Sequence, residues 1–398
     1  MSKLFEKKYV KEILFCSIFF MQTMDNVFTQ YEYMFQVQVK MIKNIFLVLA
    51  LLVMAFYIKK SITSYKQLKF FSEICYFSLA VFIIAIISII FATLQHKFNI
   101  ITINALIKLM FPIIVAFILI NFYSIDELKL SMKISFVITF VGYLIFDIGF
   151  RGLTLNDITS ISFVESYSPF ESHYFSPQSM AFCCFFMYFR ENRWITFLSC
   201  VFVFMTYKRL MIVAMLILFI IPKIFNPDYK VKKYINIVII LIFVILSYVL
   251  LNMLKLGDIN ILGISLDQLT MGRSYFYRLL METGYTSYGL NTSVLALGRD
   301  LEMDLIKLLL EVGILGLLSY IASIVLIGGQ KLYNVLLVVF VLGNSLISHF
   351  FDITYFWIVF YITIYCIKNN YIKNNYSRLF SDAAYKQFDR FRHRKLTR

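Results

Sequence analysis

Residues 70–94 read FFSEICYFSLAVFIIAIISIIFATL, a run in which Glu73 is the only charged side chain. A helix needs roughly 20 predominantly apolar residues to cross the hydrocarbon core of a bilayer, and this run exceeds that length. Nothing in it alternates apolar with polar residues as the strands of a membrane barrel do. In lipid every backbone N–H and C=O must be bonded within the segment, so an apolar run of this length reads as a spanning α-helix.

Outward from that run the chain repeats the pattern. Further candidate spans lie at 13–29, 44–58, 101–122, 132–150, 176–190, 194–207, 209–225, 235–254, 304–327, 332–349 and 352–367. The expected fold is all-α, a polytopic transmembrane bundle of about 12 spans, falling to 10 or 11 if the shortest do not cross. Residues 1–398 form one membrane domain. Composition agrees: 60% of the residues are hydrophobic and 15% charged, whereas a soluble chain carries nearer a quarter charged. With 43 Phe, 27 Tyr and only 5 Pro, long helices are seldom interrupted. The first apolar stretch, Ile13 to Phe28, lacks a small-residue cleavage site and carries Asp25-Asn26, so it reads as a span and not as a cleavable signal.

The net charge of +15 invites a nucleic-acid reading, and its placement argues against one. On the twelve-span topology 26 basic residues fall in pieces on the side of the N-terminus and 10 on the other. That asymmetry is what the positive-inside rule expects, so both termini are expected in the cytoplasm and no nucleic-acid partner is needed. The tail 368–398, with Arg390, Arg392, Arg394 and Lys395, is a basic segment suited to anionic membrane lipid. The six cysteines all lie in apolar runs at spacings that fit neither zinc nor a loop disulfide, and read as small buried hydrophobes.

Two long polar loops are expected on the outer face, 151–175 and a large extracytoplasmic loop at 255–303. Loops of that length are usually functional. In the second, Arg273 and Arg278 are candidate ligands for a phosphate group, since a guanidinium binds phosphate through two N–H donors. An interfacial helix anchored by Tyr275 and Tyr277 explains the same residues as well. Five positions apart on one helix, the two arginines would not share a face; a bend is needed to converge them. Next, Leu297-Gly-Arg299-Asp300-Leu-Glu302-Met-Asp304 sets three carboxylates where water gives way to lipid. Glu302 and Asp304 are candidate bases, with an acidic first helical turn as the plainer explanation. Lys307 and Glu311 lie on one face of the span that follows; charges there pair or line a cavity, and Lys307 is expected to neutralise Asp304 or Glu311. Lys208-Arg209 interrupts two apolar segments, and Arg209 is a third candidate anion ligand. His173, in the first outer loop, is a further candidate base, though a lone histidine is more often a hydrogen-bonded loop residue. There is no Walker motif, dinucleotide-binding glycine pattern or paired-histidine metal motif, so no cofactor and no metal are expected, and the substrate must arrive already activated.

These features together resemble the bacterial O-antigen and capsule repeat-unit polymerases of the Wzy type. The resemblance rests on the Phe/Ile-rich multi-span pattern, the large outer loop with Gly272-Arg273, and the span carrying Glu311-Val-Gly313-Ile-Leu-Gly316. It also rests on an arginine followed eleven residues later by a glycine, twice: Arg273 to Gly284 and Arg278 to Gly289. The related O-antigen ligases often carry a His-Asn pair where this chain has Glu302-Met303, which points away from a ligase and leaves the base open. The resemblance implies an enzyme, a glycosyltransferase of the bacterial inner membrane acting in lipopolysaccharide or capsule biosynthesis. It would join oligosaccharide repeat units carried on undecaprenyl pyrophosphate, at the outer face, without nucleotide or metal. It implies Arg273, Arg278 and Arg209 as pyrophosphate ligands, Glu302, Asp304 or His173 as base, and a chain-length regulator protein as partner. The competing reading is a lipid-linked oligosaccharide flippase or other transporter, which would place charges deep in the spans around a central cavity.

Overall fold

The computed structural model describes residues 8–30, 36–61, 68–149, 152–161, 168–172, 175–190, 192–206, 208–226, 228–256, 260–261, 264–265, 272–351 and 353–370. Among the described residues the chain is helical, with one two-residue antiparallel strand pair, Asn260–Ile261 with Ile264–Ser265. The helices are α1 Lys8–Gln30, α2 Gln36–Ser61, α3 Phe71–Leu94, α4 Ile100–Phe122, α5 Ile125–Gly142, α6 Phe175–Phe189, α7 Arg193–Met205, α8 Arg209–Ile224, α9 Lys233–Leu256, α10 Arg273–Glu282, α11 Thr292–Leu297, α12 Asp304–Gly328, α13 Leu332–Ile347 and α14 at 354–370. Helix α5 runs on through a π-helical turn, Tyr143–Gly149.

Among the described residues six helices are long and apolar enough to cross a membrane: Met41–Lys59, Phe71–Leu94, Ile100–Phe122, Ile125–Gly149, Lys233–Leu256 and Asp304–Gly328. Three more are apolar but shorter: Arg193–Met205, Arg209–Ile221 and Leu332–Ile347. The first-read stretch, α3, exposes Leu79, Phe82, Ile86, Ile89, Ile90 and Leu94 along its length, and α9 exposes Ile237, Leu241, Ile245 and Val249. Contiguous apolar surface on that scale has no place in water and belongs against lipid. The protein is therefore a membrane protein of at least these long helices. The candidate span at 176–190 differs in kind, because α6 is buried on every side from Phe175 to Tyr188. It is a core helix wrapped by its neighbours.

Helix α12 packs against α3, α9 and α13, and α1 packs along α5. In the second pair Gly142 lies against Thr23, and a Cβ at Gly142 would meet the Thr23 methyl at 2.3 Å. Small residues allow such close approach between membrane helices. Gly142→Leu is expected to push α1 off α5 and cost about 1–3 kcal/mol, read as a lower apparent Tm in detergent; an unchanged Tm would show that this crossing is loose.

Contacts sort the helix ends into two groups. At one end Lys11 pairs with Glu127, Lys368 with Glu73, and Lys331 with Asp228 and Tyr188. At the other end Thr102 bonds the Leu290 carbonyl, Lys97 lies over the Tyr288 ring, and the Asp304 N–H reaches Ser348. Helix α12 joins the two, spanning about 37 Å at 1.5 Å per residue. Four cysteines are buried, Cys200 is half-buried, and Cys75 faces outward from α3.

Candidate functional site

The polar groups of the second end gather around the first two turns of α12. The chain enters that region from α10 through a turn with Gly284 and Gly289. Gly289 has φ +134°, and a Cβ there would stand 3.2 Å from Ser88 and 3.3 Å from Thr102, so only glycine lets residues 288–291 lie between α3 and α4. The segment is tied down by Leu290 N–H to Ser88 Oγ (3.2 Å) and by Thr102 Oγ1 to the Leu290 carbonyl (3.0 Å). Asn291, left-handed at φ 65°, then turns the chain into the short helix α11.

Glu311, fully buried in α12, is the cap of that helix. It accepts from the Asn291 N–H (2.5 Å), the Ser293 N–H (3.0 Å) and the Ser293 hydroxyl (2.5 Å). A buried carboxylate survives when its oxygens are this well supplied with donors. Two residues later α12 breaks. Gly313 has φ 67° and ψ −173°, outside helical geometry, and the Ser287 hydroxyl donates to the Glu311 carbonyl at 2.6 Å where the helix loses its own donor. A break inside a membrane helix stands only where neighbours replace its hydrogen bonds. Pro112 acts similarly in α4, since it offers no N–H to the Lys108 carbonyl one turn back.

Lys307 was expected to pair with Asp304 or Glu311. Glu311 and Asp304 do attract it through space, while its close ion pair is with Asp300, at 2.6 Å, and its ammonium also donates to Asn291 Oδ1 at 2.5 Å. Asp304 is taken by another residue. His349, in the turn after α13, holds Nδ1 2.5 Å from Asp304 Oδ1, and the Phe350 and Phe351 N–H groups donate to Asp304 Oδ2 at 2.8 and 3.1 Å. On its far side His349 Nε2 lies 3.5 Å from Asp300 Oδ2. One imidazole thus stands between two carboxylates. Burial by itself lowers the His349 pKa, but the charge and hydrogen bond of Asp304, with Asp300 behind, outweigh it and push the pKa up to about 9. Asp300, whose burial opposes ionisation, is nonetheless held below its usual value by Lys307, His349 and Lys108. At neutral pH His349 is an imidazolium lying between Asp304 and Asp300.

A narrow cleft of about 30 Å³ opens among these residues, lined by Lys108, Asn291, Lys307, Glu311, His349 and Phe351. That is room for a water or a hydroxyl group and not for a sugar ring. Asp304 is wholly buried with both oxygens bonded, so it positions His349 and cannot itself reach a substrate. Asp300, its side chain one-third exposed, is the carboxylate that faces outward.

Glu302 points elsewhere. Its backbone is left-handed, φ 53°, which turns it away from its neighbours at 300 and 304. It bonds Arg299 at 2.8 Å and lies 3.7 Å from Arg273 Nε, an electrostatic contact. Arg299 also stacks over the Phe276 ring at 3.9 Å. Beside them Lys208 lies 3.8 Å from Glu171, and burial, opposed by Glu171 and reinforced by Arg273, lowers the Lys208 pKa. Burial also lowers that of Arg273, against the pull of Glu302 and Glu171, yet a guanidinium stays cationic. Three cations and two carboxylates therefore share one surface.

Of the residues singled out in the sequence, Arg273 and Glu302 are brought together and Asp304 joins the adjoining cluster. Arg278 sits in the same unbroken helix as Arg273, about 140° away around its axis, because the bend needed to converge them is absent. Arg209 is the first residue of α8, and it is its neighbour Lys208 that lies in the field of Arg273. His173 lies outside the described residues. Among the described residues no group of His, Cys, Asp and Glu could hold a metal. The sequence reading passed over His349, whose partners are 45 and 49 residues upstream; a histidine closing an apolar span was the available signal. Comparison with protein-family models, curated proteins and solved structures finds no match to this chain.

Proposed function

We propose that the protein is a membrane glycosyltransferase that joins lipid-linked oligosaccharide repeat units, as the O-antigen and capsule polymerases it resembles do. In this reading about twelve helices cross the bacterial cytoplasmic membrane, both termini are cytoplasmic, and the polar cluster faces outward. The observation that carries it is the juxtaposition of two sites at one end of the bundle. A cationic surface of Arg273, Arg299 and Lys208 lies beside Asp300, which is held between Lys307 and His349.

The cations suit the leaving group. When the glycosidic bond to undecaprenyl pyrophosphate breaks, charge builds on the pyrophosphate, and fixed guanidinium and ammonium groups stabilise it. Glu302 and Glu171 keep the cations spaced and ready in the absence of the anion. Asp300 suits the other partner. Its carboxylate, pinned by Lys307 and His349, orients a sugar hydroxyl of the acceptor and takes its proton as the new bond forms. A weakly basic carboxylate suffices where the sugar transition state has oxocarbenium character, as glycoside chemistry shows. Neither step needs a nucleotide.

Arg273→Ala is expected to reduce elongation by about 10²- to 10³-fold at normal protein levels. Surface polysaccharide from a deletion strain should show a single repeat unit, and wild type but not Arg273→Ala should restore the ladder. A full ladder with Arg273→Ala would remove this residue from the pyrophosphate site. The break at Gly313 beside buried Lys307 and Glu311 favours one other reading, a transporter of the same lipid-linked glycan, because interrupted helices with charged residues are common at transport sites. In that case the deletion strain would carry no repeat unit at its surface.

A further inference from the structure

At the opposite end of α12 lies a larger recess, about 790 Å³, between α3, α9, α14 and the turn from α12 to α13. That size is in the range of ligand pockets. Its polar wall carries Lys230, Lys233, Lys331 and Lys368 against one carboxylate, Glu73. Lys368 pairs with Glu73, and Lys331 is buried against Asp228 and Tyr188, so both are fixed in place. The segment bearing Lys230 is zipped to the same turn by Val231 N–H to the Gln330 carbonyl (2.8 Å) and Leu332 N–H to the Tyr229 carbonyl (3.0 Å).

Two acceptors in this wall are not used. Asn334, fully buried, spends its amide N–H on the Ile364 carbonyl, and Asn236 spends its own on Gly329. Those bonds fix which way each amide faces, and Asn334 Oδ1 and Asn236 Oδ1 are left buried without a donor. A buried carbonyl oxygen without a donor is costly, so a pair of them lining a recess points to a ligand that brings hydroxyl or amine hydrogens. The lysines ask that the same ligand be anionic. The outer lip is apolar: Tyr76, Ile237 and Leu326 line the recess and lie exposed on the flank that faces lipid.

We propose that this recess binds the headgroup of an anionic phospholipid bearing free hydroxyls, such as phosphatidylglycerol. Its phosphate lies among the lysines, its glycerol hydroxyls donate to Asn334 and Asn236, and its acyl chains run out past Ile237 and Leu326. Basic recesses between membrane helices hold anionic headgroups in this way, each lysine contributing on the order of a fivefold preference.

The test is native mass spectrometry of the full chain in detergent, with phosphatidylglycerol or phosphatidylcholine of identical acyl chains. Lys230→Gln/Lys233→Gln is the variant to compare, because it spares the fixed pairs of Lys331 and Lys368. Wild type should retain phosphatidylglycerol in roughly 10-fold or greater preference, and the double variant should lose about 10-fold or more of that retention. Asn334→Leu, at unchanged Tm, should weaken phosphatidylglycerol while leaving phosphatidic acid, which lacks the glycerol hydroxyls, bound. Equal retention of phosphatidylcholine, or a double variant that retains phosphatidylglycerol as wild type does, overturns the proposal. Displacement of the lipid by equimolar inorganic phosphate overturns it too, since the recess would then be a site for a free anion.

Discussion

Replacing Asp304 with alanine is expected to destabilise the protein by about 3–5 kcal/mol and to abolish elongation. The side chain is wholly buried and accepts from three donors, His349 and the Phe350 and Phe351 N–H groups. Removing it leaves a charged imidazole with one carboxylate instead of two and two backbone donors without an acceptor. Breaking a buried ion pair from one side costs about that much, because the remaining charge is left uncompensated. Asp304→Asn separates structure from chemistry. The amide keeps the shape and one acceptor oxygen, so most of the stability should return, while the imidazolium loses the charge that holds it. Elongation is then expected to fall by about 10²- to 10⁴-fold with Tm within a few degrees of wild type. A stable Asp304→Asn protein with full activity would show that the residue only holds the fold.

The second large effect is a dependence on pH. His349 titrates near 6.5 in an unfolded chain and near 9 in the folded one. The folded state therefore binds the extra proton, and the stability that this confers is fully present below about pH 6.5. It is lost as pH rises from there through 9, on the order of 3 kcal/mol in all for a shift of this size. Activity of the folded protein should hold until pH approaches 9 and fall above it, because neutral His349 no longer fixes Asp300. His349→Gln cannot be protonated; its Tm should be lower at pH 6 and should change little between pH 6.5 and 9. A wild-type Tm that is flat across that window would mean that His349 is neutral in the folded protein.

What the sequence made legible followed from one-dimensional signals. Hydropathy alone identified α3, α4, α9 and α12 nearly to the residue, since spanning length is a physical requirement of lipid. It could not tell that α6 is enclosed by protein on all sides, because such an apolar run looks the same as one facing lipid. Intramembrane charge correctly drew attention to Lys307 and Glu311, but not to their partners. Lys307 pairs with Asp300 because the chain between them folds back over α12, and Glu311 caps a helix that no periodicity marks. Glu302 and Asp304, two residues apart, serve different surfaces because Glu302 adopts a left-handed backbone; no residue pattern forces that turn. His349 belongs to the cluster only through the packing of α13 against α12. Pairings across the fold are set by tertiary contacts, and a single sequence does not carry them.

The most direct measurement is elongation by the purified protein in proteoliposomes supplied with undecaprenyl-pyrophosphate-linked repeat units. Wild type is expected to convert them to a ladder of longer chains and release undecaprenyl pyrophosphate, with Asp300→Asn losing at least about 10²-fold in rate. Movement of the substrate across the bilayer without any elongation, or a ladder from Asp300→Asn at the wild-type rate, would contradict the assignment of glycosyl transfer to this cluster.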